Sequence, residues 1–342
     1  MDRVPQFPEQ WTTVETIESH TAGEPLRVII DGVPPLEGTS ILERRRYMRE
    51  HHDELRTALM WEPRGHTDMY GAILTDPCTP AGDVGVLFTT NKGYSTMCGH
   101  GIIALGVVLV ETGMVAASPP SETINFDTPA GLVSAKAALS DGRVESVSFK
   151  NVTSFADGLD RQITVPEYGT IEYDLAYGGA FYAYCDADQL GLELTPENTD
   201  EIRRAGMAIK RAVADAVPIE HPREDDLSFL YGTIFRGPPE NPDCDSRNVC
   251  VFANGQIDRS PTGTGVSGRL AINHERGTLE VGDDFVVESI IGTTFTGTID
   301  EVTTEDGRSA VIPRITGSAH ITGHNQLLID PDDPLRDGFD LG

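Results

Sequence analysis

Short apolar runs separated by turn residues dominate the chain and predict a protein rich in β-strands. Thr13–Ser19 and Leu26–Ile30 have the composition of strands, and the AGEP segment at 22–25 predicts the turn between them. Further strand-like runs continue to about residue 329. Two segments differ, because Ile41–Met60 and Thr199–Ala216 carry apolar residues at helical spacing. The first predicts a surface helix and the second another amphipathic helix.

One segment is apolar on every side. Gly101–Thr112 has no polar face, and Gly113 follows it as a helix-ending glycine. A helix of this kind has to lie inside a protein rather than on its surface. Its longest apolar stretch, Ile102–Val110, is far below the roughly 20 residues that span a bilayer. We therefore expect a buried central helix and no membrane-spanning segment.

Two glycine-rich turns occupy similar places in the pattern. Strands lead into a polar glycine turn at 95–101 and again at 258–265, and each turn opens a helix. The second helix is expected to end at Gly277. Two similar lobes whose glycine turns face one another would account for this coarse symmetry.

Charge restricts the partners. The 342 residues suggest two domains, and 39% hydrophobic residues suffice for real cores. The net charge of −28 would repel phosphate backbones and anionic lipids, which argues against nucleic-acid or membrane-surface partners. Only four of the 26 basic residues are lysines. An acidic, lysine-poor surface suits a halophilic protein, because concentrated salt screens its self-repulsion.

The cysteines favour a reducing compartment. The chain has five of them, an odd number, with no CxxC spacing. This pattern argues against a disulfide framework and against a zinc knuckle. The first residues contain no apolar core typical of a signal peptide. We expect a cytoplasmic protein that binds no metal.

The first glycine turn carries a candidate nucleophile. Cys98 stands at the start of the apolar helix, where free N–H groups and the helix dipole lower the pKa of a thiol. The adjacent N–H groups, approachable beside Gly99 and Gly101, could also hold a carboxylate. The alternative is a buried structural cysteine with glycines for close packing. Cys78, Cys185, Cys244 and Cys250 lack such a turn and are expected to be structural.

The second turn, DRSPTGTG at 258–265, repeats this anion-binding pattern. It adds Asp258, which could receive a substrate ammonium group. The segment GTGVSG at 263–268 also spells a dinucleotide-binding fingerprint. We reject that interpretation, because the fingerprint needs a strand ending directly at its first glycine.

The two turns, taken with three other motifs in order along the chain, resemble the proline racemase family, which includes hydroxyproline epimerases and trans-3-hydroxy-L-proline dehydratases. The other motifs are HTAGEP at 20–25, RGHTDMYG at 64–71 and GGAFY at 178–182. The resemblance runs from about Thr13 to Leu328. Phe181 and Tyr182 in the last motif are strand neighbours, so at least one of them is expected in the core.

The resemblance implies an α+β fold like that of diaminopimelate epimerase, with two similar lobes, each a mixed sheet wrapped around a central apolar helix. The first lobe is expected over residues 12–140, with a strand near 320–330 as a candidate to complete it. The second lobe is expected over 141–319, and 331–342 as a loose acidic tail. A homodimer and the absence of any cofactor are also implied.

The resemblance also implies site residues in the cleft between the lobes. Cys98 would be a base, and Asp258 would lie near the ring nitrogen of the substrate. The substrate carboxylate would be held by Gly99, His100, Gly263 and Thr264.

The chain departs from the racemases at Thr262, where they carry a second cysteine. Inversion at Cα needs a base on one face and an acid on the other, and a threonine hydroxyl is a poor proton donor or acceptor. Members that resemble trans-3-hydroxy-L-proline dehydratase carry threonine there. In that substrate the α-hydrogen and the 3-hydroxyl lie on the same ring face, so Cys98 alone could serve a syn elimination while Thr262 shapes the pocket. The expected activity is that of a hydro-lyase giving 1-pyrroline-2-carboxylate. A proline racemase or 4-hydroxyproline 2-epimerase, and a non-catalytic amino-acid-binding protein, remain as alternatives.

Overall fold

The computed structural model describes residues 6–341. Within them the α-helices are α1 (Ile41–His51), α2 (Asp53–Met60), α3 (Gly99–Glu111), α4 (Thr199–Ala216) and α5 (Gly263–Glu275). The strands of the first half are β1 (Thr12–Thr21), β2 (Glu24–Asp31), β3 (Tyr70–Thr75), β4 (Val84–Thr90), β5 (Gly93–Ser95), β6 (Ser121–Thr128), β7 (Gly131–Ser140), β8 (Arg143–Lys150) and β9 (Phe155–Val165). Those of the second half are β10 (Gly169–Tyr177), β11 (Phe181–Asp186), β12 (Leu230–Gly237), β13 (Ser246–Phe252), β14 (Gln256–Ile257), β15 (Asp284–Glu288), β16 (Thr294–Glu305), β17 (Arg308–Gly317) and β18 (Ala319–Ile329).

The strands of the first lobe pair in the order β18-β1-β2-β3-β4-β6-β7-β8. The β2–β3 and β4–β6 pairs are parallel and the others antiparallel. Helix α3 packs against strands from both ends of this order, including β1, β8 and β18. The last strand of the chain therefore completes the sheet around the first central helix.

The second lobe repeats this arrangement. Its order is β9-β10-β11-β12-β13-β15-β16-β17, with parallel pairs at the corresponding places, β11–β12 and β13–β15. Helix α5 packs against β9, β10, β16 and β17, and α4 packs against β12 and β13. Antiparallel pairing of β8 with β17 joins the two sheets. The α+β fold of two similar lobes, each a mixed sheet around a central apolar helix, is confirmed.

The central helices lie within two residues of the predicted bounds, since α3 begins two residues before Gly101 and α5 begins inside the turn predicted at 258–265. From Gly99 to Leu109 every residue of α3 is buried, as an apolar helix without a polar face requires. Gly113 follows with a φ of +74° and Gly277 follows α5 with a φ of +67°, both in the left-handed region that ends helices. Helix α4 has the predicted bounds.

Two local expectations were wrong. The helix expected over 41–60 is broken at His52 into α1 and α2, and α2 is largely buried, because it packs on β4. The tail expected to be loose lies against the first lobe over its described residues. There the Phe339 N–H donates to the Glu62 carbonyl at 2.8 Å, and Asp340 pairs with Lys92. These partners come from distant parts of the chain, so local composition did not reveal them.

The lobe boundary at 140 stays a prediction, and β8, which follows it, pairs with strands of both lobes. Among the described residues, no helix is long and apolar enough to cross a membrane.

Candidate active site

The N-termini of α3 and α5 meet between the two lobes. A Cβ added to Gly99 would lie only 2.7 Å from the Gly263 Cα, so a side chain at this point would separate the helices. Beside this contact is a cavity with about 20 Å³ of free space, room for about one water molecule. The two helix N-termini thus approach each other closely beside a small cavity.

All seven residues predicted for the site line this one cavity. They are Cys98, Gly99, His100, Asp258, Thr262, Gly263 and Thr264. They come from two turns far apart in the sequence, which the two central helices bring together. A larger cleft of about 500 Å³ elsewhere, bordered by Phe155 and Glu305, contains none of them.

Cys98 is the N-cap of α3. Its Sγ accepts a hydrogen bond from the Gly101 N–H at 3.2 Å and lies 3.3 Å from Nδ1 of His100. The side chain is buried, with the residue 4% exposed. The sulfur is thus held at a helix terminus, as the sequence predicts.

The expected effect on the thiol pKa was wrong in direction. Burial raises the pKa of Cys98 well above its ordinary value, and the nearby carboxylates of Asp258 and Glu24 raise it further. The Gly101 N–H and the Tyr70 hydroxyl act in the opposite sense but do not outweigh them. A helix N-terminus favours a thiolate, yet desolvation beside two acidic groups favours the neutral thiol.

Thr262 has an unusual backbone. Its φ of +68° lies in the left-handed region, which a β-branched residue rarely adopts. Two bonds hold this conformation, since its hydroxyl donates to Oδ2 of Asp258 at 2.8 Å and its N–H donates to Oγ of Ser260 at 3.2 Å. The hydroxyl proton is therefore already committed to Asp258. Backbone strain of this kind is concentrated at functional sites.

Asp258 and Glu24 form an acidic pair at the second turn. Asp258 accepts the Ser260 N–H at 2.8 Å, and Glu24, wholly buried, accepts the Arg259 N–H at 2.8 Å through Oε2. Oε1 of Glu24 has no hydrogen-bond partner. Burial and the neighbouring Asp258 raise the pKa of Glu24 well above its ordinary value. Sequence reasoning did not assign Glu24 to the site, although the HTAGEP motif contains it.

The remaining wall is aromatic, and sequence reasoning missed most of it. Tyr70, Tyr182, Tyr231 and Phe252 line the cavity. Tyr182 faces it while its neighbour Phe181 lies in the second-lobe core, as strand alternation requires. Cys250, expected to be structural, also borders the cavity. These residues come from strands, where alternation alone does not tell which face meets the cleft.

This arrangement suits acid–base chemistry on a small charged molecule. The first turns of α3 and α5 contain no acidic residue, so their free N–H groups can receive a carboxylate. Asp258 can receive a cation, and Cys98 is the group able to exchange a proton. Among the described residues, no cluster of three or more His, Cys, Asp or Glu side chains could hold a metal ion. Fold and site together define a two-lobed α+β protein with a small cavity between paired helix N-termini.

Comparison with known proteins identifies the family. The proline racemase family profile matches residues 16–340. A trans-3-hydroxy-L-proline dehydratase of Colwellia psychrerythraea is 44% identical, over 97% of this chain and 93% of that protein. A proline racemase of Clostridioides difficile is 41% identical, over 96% and 98%. A hydroxyproline epimerase of Agrobacterium vitis, solved with trans-4-hydroxy-L-proline bound, superposes with a TM-score of 0.93 at 36% identity, over 98% and 96%. The chain belongs to the proline racemase family.

Proposed function

We propose that this protein is a hydro-lyase that converts trans-3-hydroxy-L-proline to 1-pyrroline-2-carboxylate without a cofactor. The observation that supports this reaction is the unequal pair at the site, in which Cys98 and Thr262 border the same cavity. A thiol can accept and return a proton near neutral pH, whereas a threonine hydroxyl cannot. A single group able to transfer protons favours a reaction that takes place on one face of the substrate ring.

The substrate would be bound at both of its charges. Its carboxylate would accept hydrogen bonds from the backbone N–H groups at the N-termini of α3 and α5, where the positive ends of both helix dipoles lie. These are the N–H groups of Gly99, His100, Gly263 and Thr264. Its ring ammonium would lie beside Asp258. The same helix N–H groups would stabilise the negative charge that develops on the carboxylate when the α-proton leaves.

Substrate binding would also prepare the base. The carboxylate of Asp258 is one of the groups that raise the pKa of Cys98. A substrate ammonium beside Asp258 would offset that charge and lower the thiol pKa in the complex. The thiolate would then remove the α-proton, and the 3-hydroxyl would leave from the same face. The enamine formed would tautomerise to 1-pyrroline-2-carboxylate.

Thr262 would shape the pocket rather than transfer protons. Its hydroxyl donates to Asp258 at 2.8 Å. This bond would hold the carboxylate in position to receive the ring ammonium. The second candidate function is a racemase or epimerase, which the names of two similar proteins favour. It needs a competent acid on the Thr262 side, where the structure has an alcohol.

The test is to incubate the protein with trans-3-hydroxy-L-proline, trans-4-hydroxy-L-proline and L-proline, and to follow loss of water by mass spectrometry. We expect dehydration of the 3-hydroxy compound alone, and its loss in Cys98→Ser. Cys78→Ser serves as the matched control, because Cys78 lies outside the cavity. Deuterium incorporation from heavy water with inversion of proline or 4-hydroxyproline would favour the racemase or epimerase instead. Binding without turnover would favour a binding protein.

A further inference from the structure

Three tyrosine hydroxyls border the cavity, and the mechanism above uses none of them. Oη of Tyr182 lies 2.7 Å from Oγ1 of Thr264, on the second-lobe side. Oη of Tyr70 lies 2.5 Å from Oγ of Ser95 and 3.3 Å from Oη of Tyr231. The Tyr70–Tyr231 pair therefore forms a short hydrogen-bonded chain that spans the two lobes, from β3 to β12.

This chain lies in the same cavity as Cys98. Tyr70, Tyr231 and Cys98 all line it, and the Tyr70 ring packs edge-on against His100, whose Nδ1 lies 3.3 Å from the sulfur. The Tyr70 hydroxyl acts to lower the thiol pKa. Burial raises the pKa of Tyr70 and of Tyr231 well above the ordinary phenol value. Both phenols are consequently protonated at working pH and able to give a proton.

The proposed reaction needs a proton donor on this flank. Hydroxide is a poor leaving group, and the 3-hydroxyl departs from the face on which Cys98 removes the α-proton. His100 is unsuited, because burial lowers its pKa and so disfavours the charged form that could give a proton, and its Nδ1 already lies 3.3 Å from the sulfur. Thr262 already donates its proton to Asp258.

We propose that Tyr231 protonates the departing 3-hydroxyl and that Tyr70 carries the proton from Cys98 back to Tyr231. This inference rests on the proposed dehydratase function. The Cα–H bond breaks and its proton goes to the Cys98 thiolate. The C3–O bond breaks with its electron pair on oxygen, which takes the Tyr231 proton and leaves as water. Proton transfer from the Cys98 thiol through Tyr70 then restores the Tyr231 phenol and the thiolate.

Of the two phenols, Tyr231 is the one with room for the substrate. Tyr70 is 3% exposed and its oxygen is engaged by Ser95 and Tyr231. Tyr231 is less buried, and among the described residues its hydroxyl bonds only to Tyr70. Its ring stacks on Phe252 with centroids 5.5 Å apart and planes 12° apart, which fixes the direction of the hydroxyl.

The test compares two leaving groups. Tyr231→Phe keeps the ring stacking and removes only the proton donor. We expect it to lose about 10²–10⁴-fold in dehydration of trans-3-hydroxy-L-proline, the range that general acid catalysis contributes. It should retain wild-type elimination of chloride from trans-3-chloro-L-proline, since chloride leaves without a proton. The matched control is Tyr182→Phe, whose lost bond to Thr264 should raise KM for both substrates and leave their ratio unchanged.

The outcomes are distinct. Equal losses on both substrates would mean that Tyr231 acts structurally and would overturn the proposal, as would full dehydration by Tyr231→Phe. A wild-type protein that dehydrates neither 3-hydroxyproline nor its isomers would refute the proposed function itself, whatever the variant does.

Discussion

Replacing Gly99 with alanine tests whether catalysis needs the two helix N-termini in contact. The added Cβ would lie 2.7 Å from the Gly263 Cα and 3.1 Å from Cζ of Phe149. Carbon atoms in contact are about 3.5–4.0 Å apart, so the helices must separate by about 1 Å. Because the Gly263 obstacle is backbone on the opposite lobe, a rotamer change cannot relieve it.

The expected loss follows from that displacement. In Gly99→Ala, Cys98 on α3 and the N–H groups on α5 that would bind the carboxylate could no longer contact one substrate molecule at the same time. A misplacement of about 1 Å can cost about 10²-fold in rate. We expect kcat/KM for dehydration to fall by about that factor. Stability should change little, since the lobes can open slightly at their interface.

The assay is steady-state formation of 1-pyrroline-2-carboxylate alongside thermal unfolding. Gly106→Ala is the matched control on the same helix, because the nearest atoms to its Cβ would be those of the Val147 side chain, at 2.9 Å, and not the backbone of α5. It should lower stability and keep most of the activity. If Gly99→Ala is as active as the wild type, or if Gly106→Ala loses activity equally, contact between the helix termini is not what positions the chemistry.

Four further results are expected. Because burial raises the pKa of Cys98, kcat/KM should keep rising above about pH 8.5, the ordinary thiol pKa, and a plateau at neutral pH would contradict this. Iodoacetamide should inactivate the protein by alkylating Cys98 alone. Planar pyrrole-2-carboxylate, which resembles the carbanion, should protect Cys98 from alkylation. Peptide mass spectrometry that links the loss of activity to another cysteine would refute this. Thr262→Cys should gain inversion of proline, measurable by chiral chromatography, and no gain would show that the second sulfur is insufficient. Because folding raises the pKa of Glu24, this residue should cost stability as the pH rises from the ordinary carboxyl pKa through the folded-state pKa. Glu24→Gln should make the melting temperature fall less steeply with pH over that range. An unchanged slope of melting temperature against pH would mean that another group causes the decline.

The fold and the two glycine-rich turns could be predicted because their signals are local. An apolar helix must lie in the core. The glycines around Cys98 and Gly263 indicate backbone that another segment or a ligand approaches closely. Helix α4 was predictable for the same reason, since one periodic segment contains its whole pattern.

The rest of the site depends on contacts between distant segments. Tyr70 and Tyr231 lie on strands of different lobes. Tyr70 belongs to the RGHTDMYG motif, but no local pattern places either tyrosine beside Cys98. The thiol pKa was wrong in direction for the same reason, because Glu24 and Asp258 approach the sulfur only in three dimensions. The tail gave no local sign of the backbone bond between Phe339 and Glu62.

Because β1 pairs with β18, the first strand of the fold lacks one neighbour until the last strand has been synthesised. During synthesis the second lobe can close its sheet while the first still lacks an edge. A chain without β18 therefore exposes an open strand edge in the lobe that contains Cys98, a state prone to association with other chains. Pairing of β18 with β1 is thus the step that seals that edge.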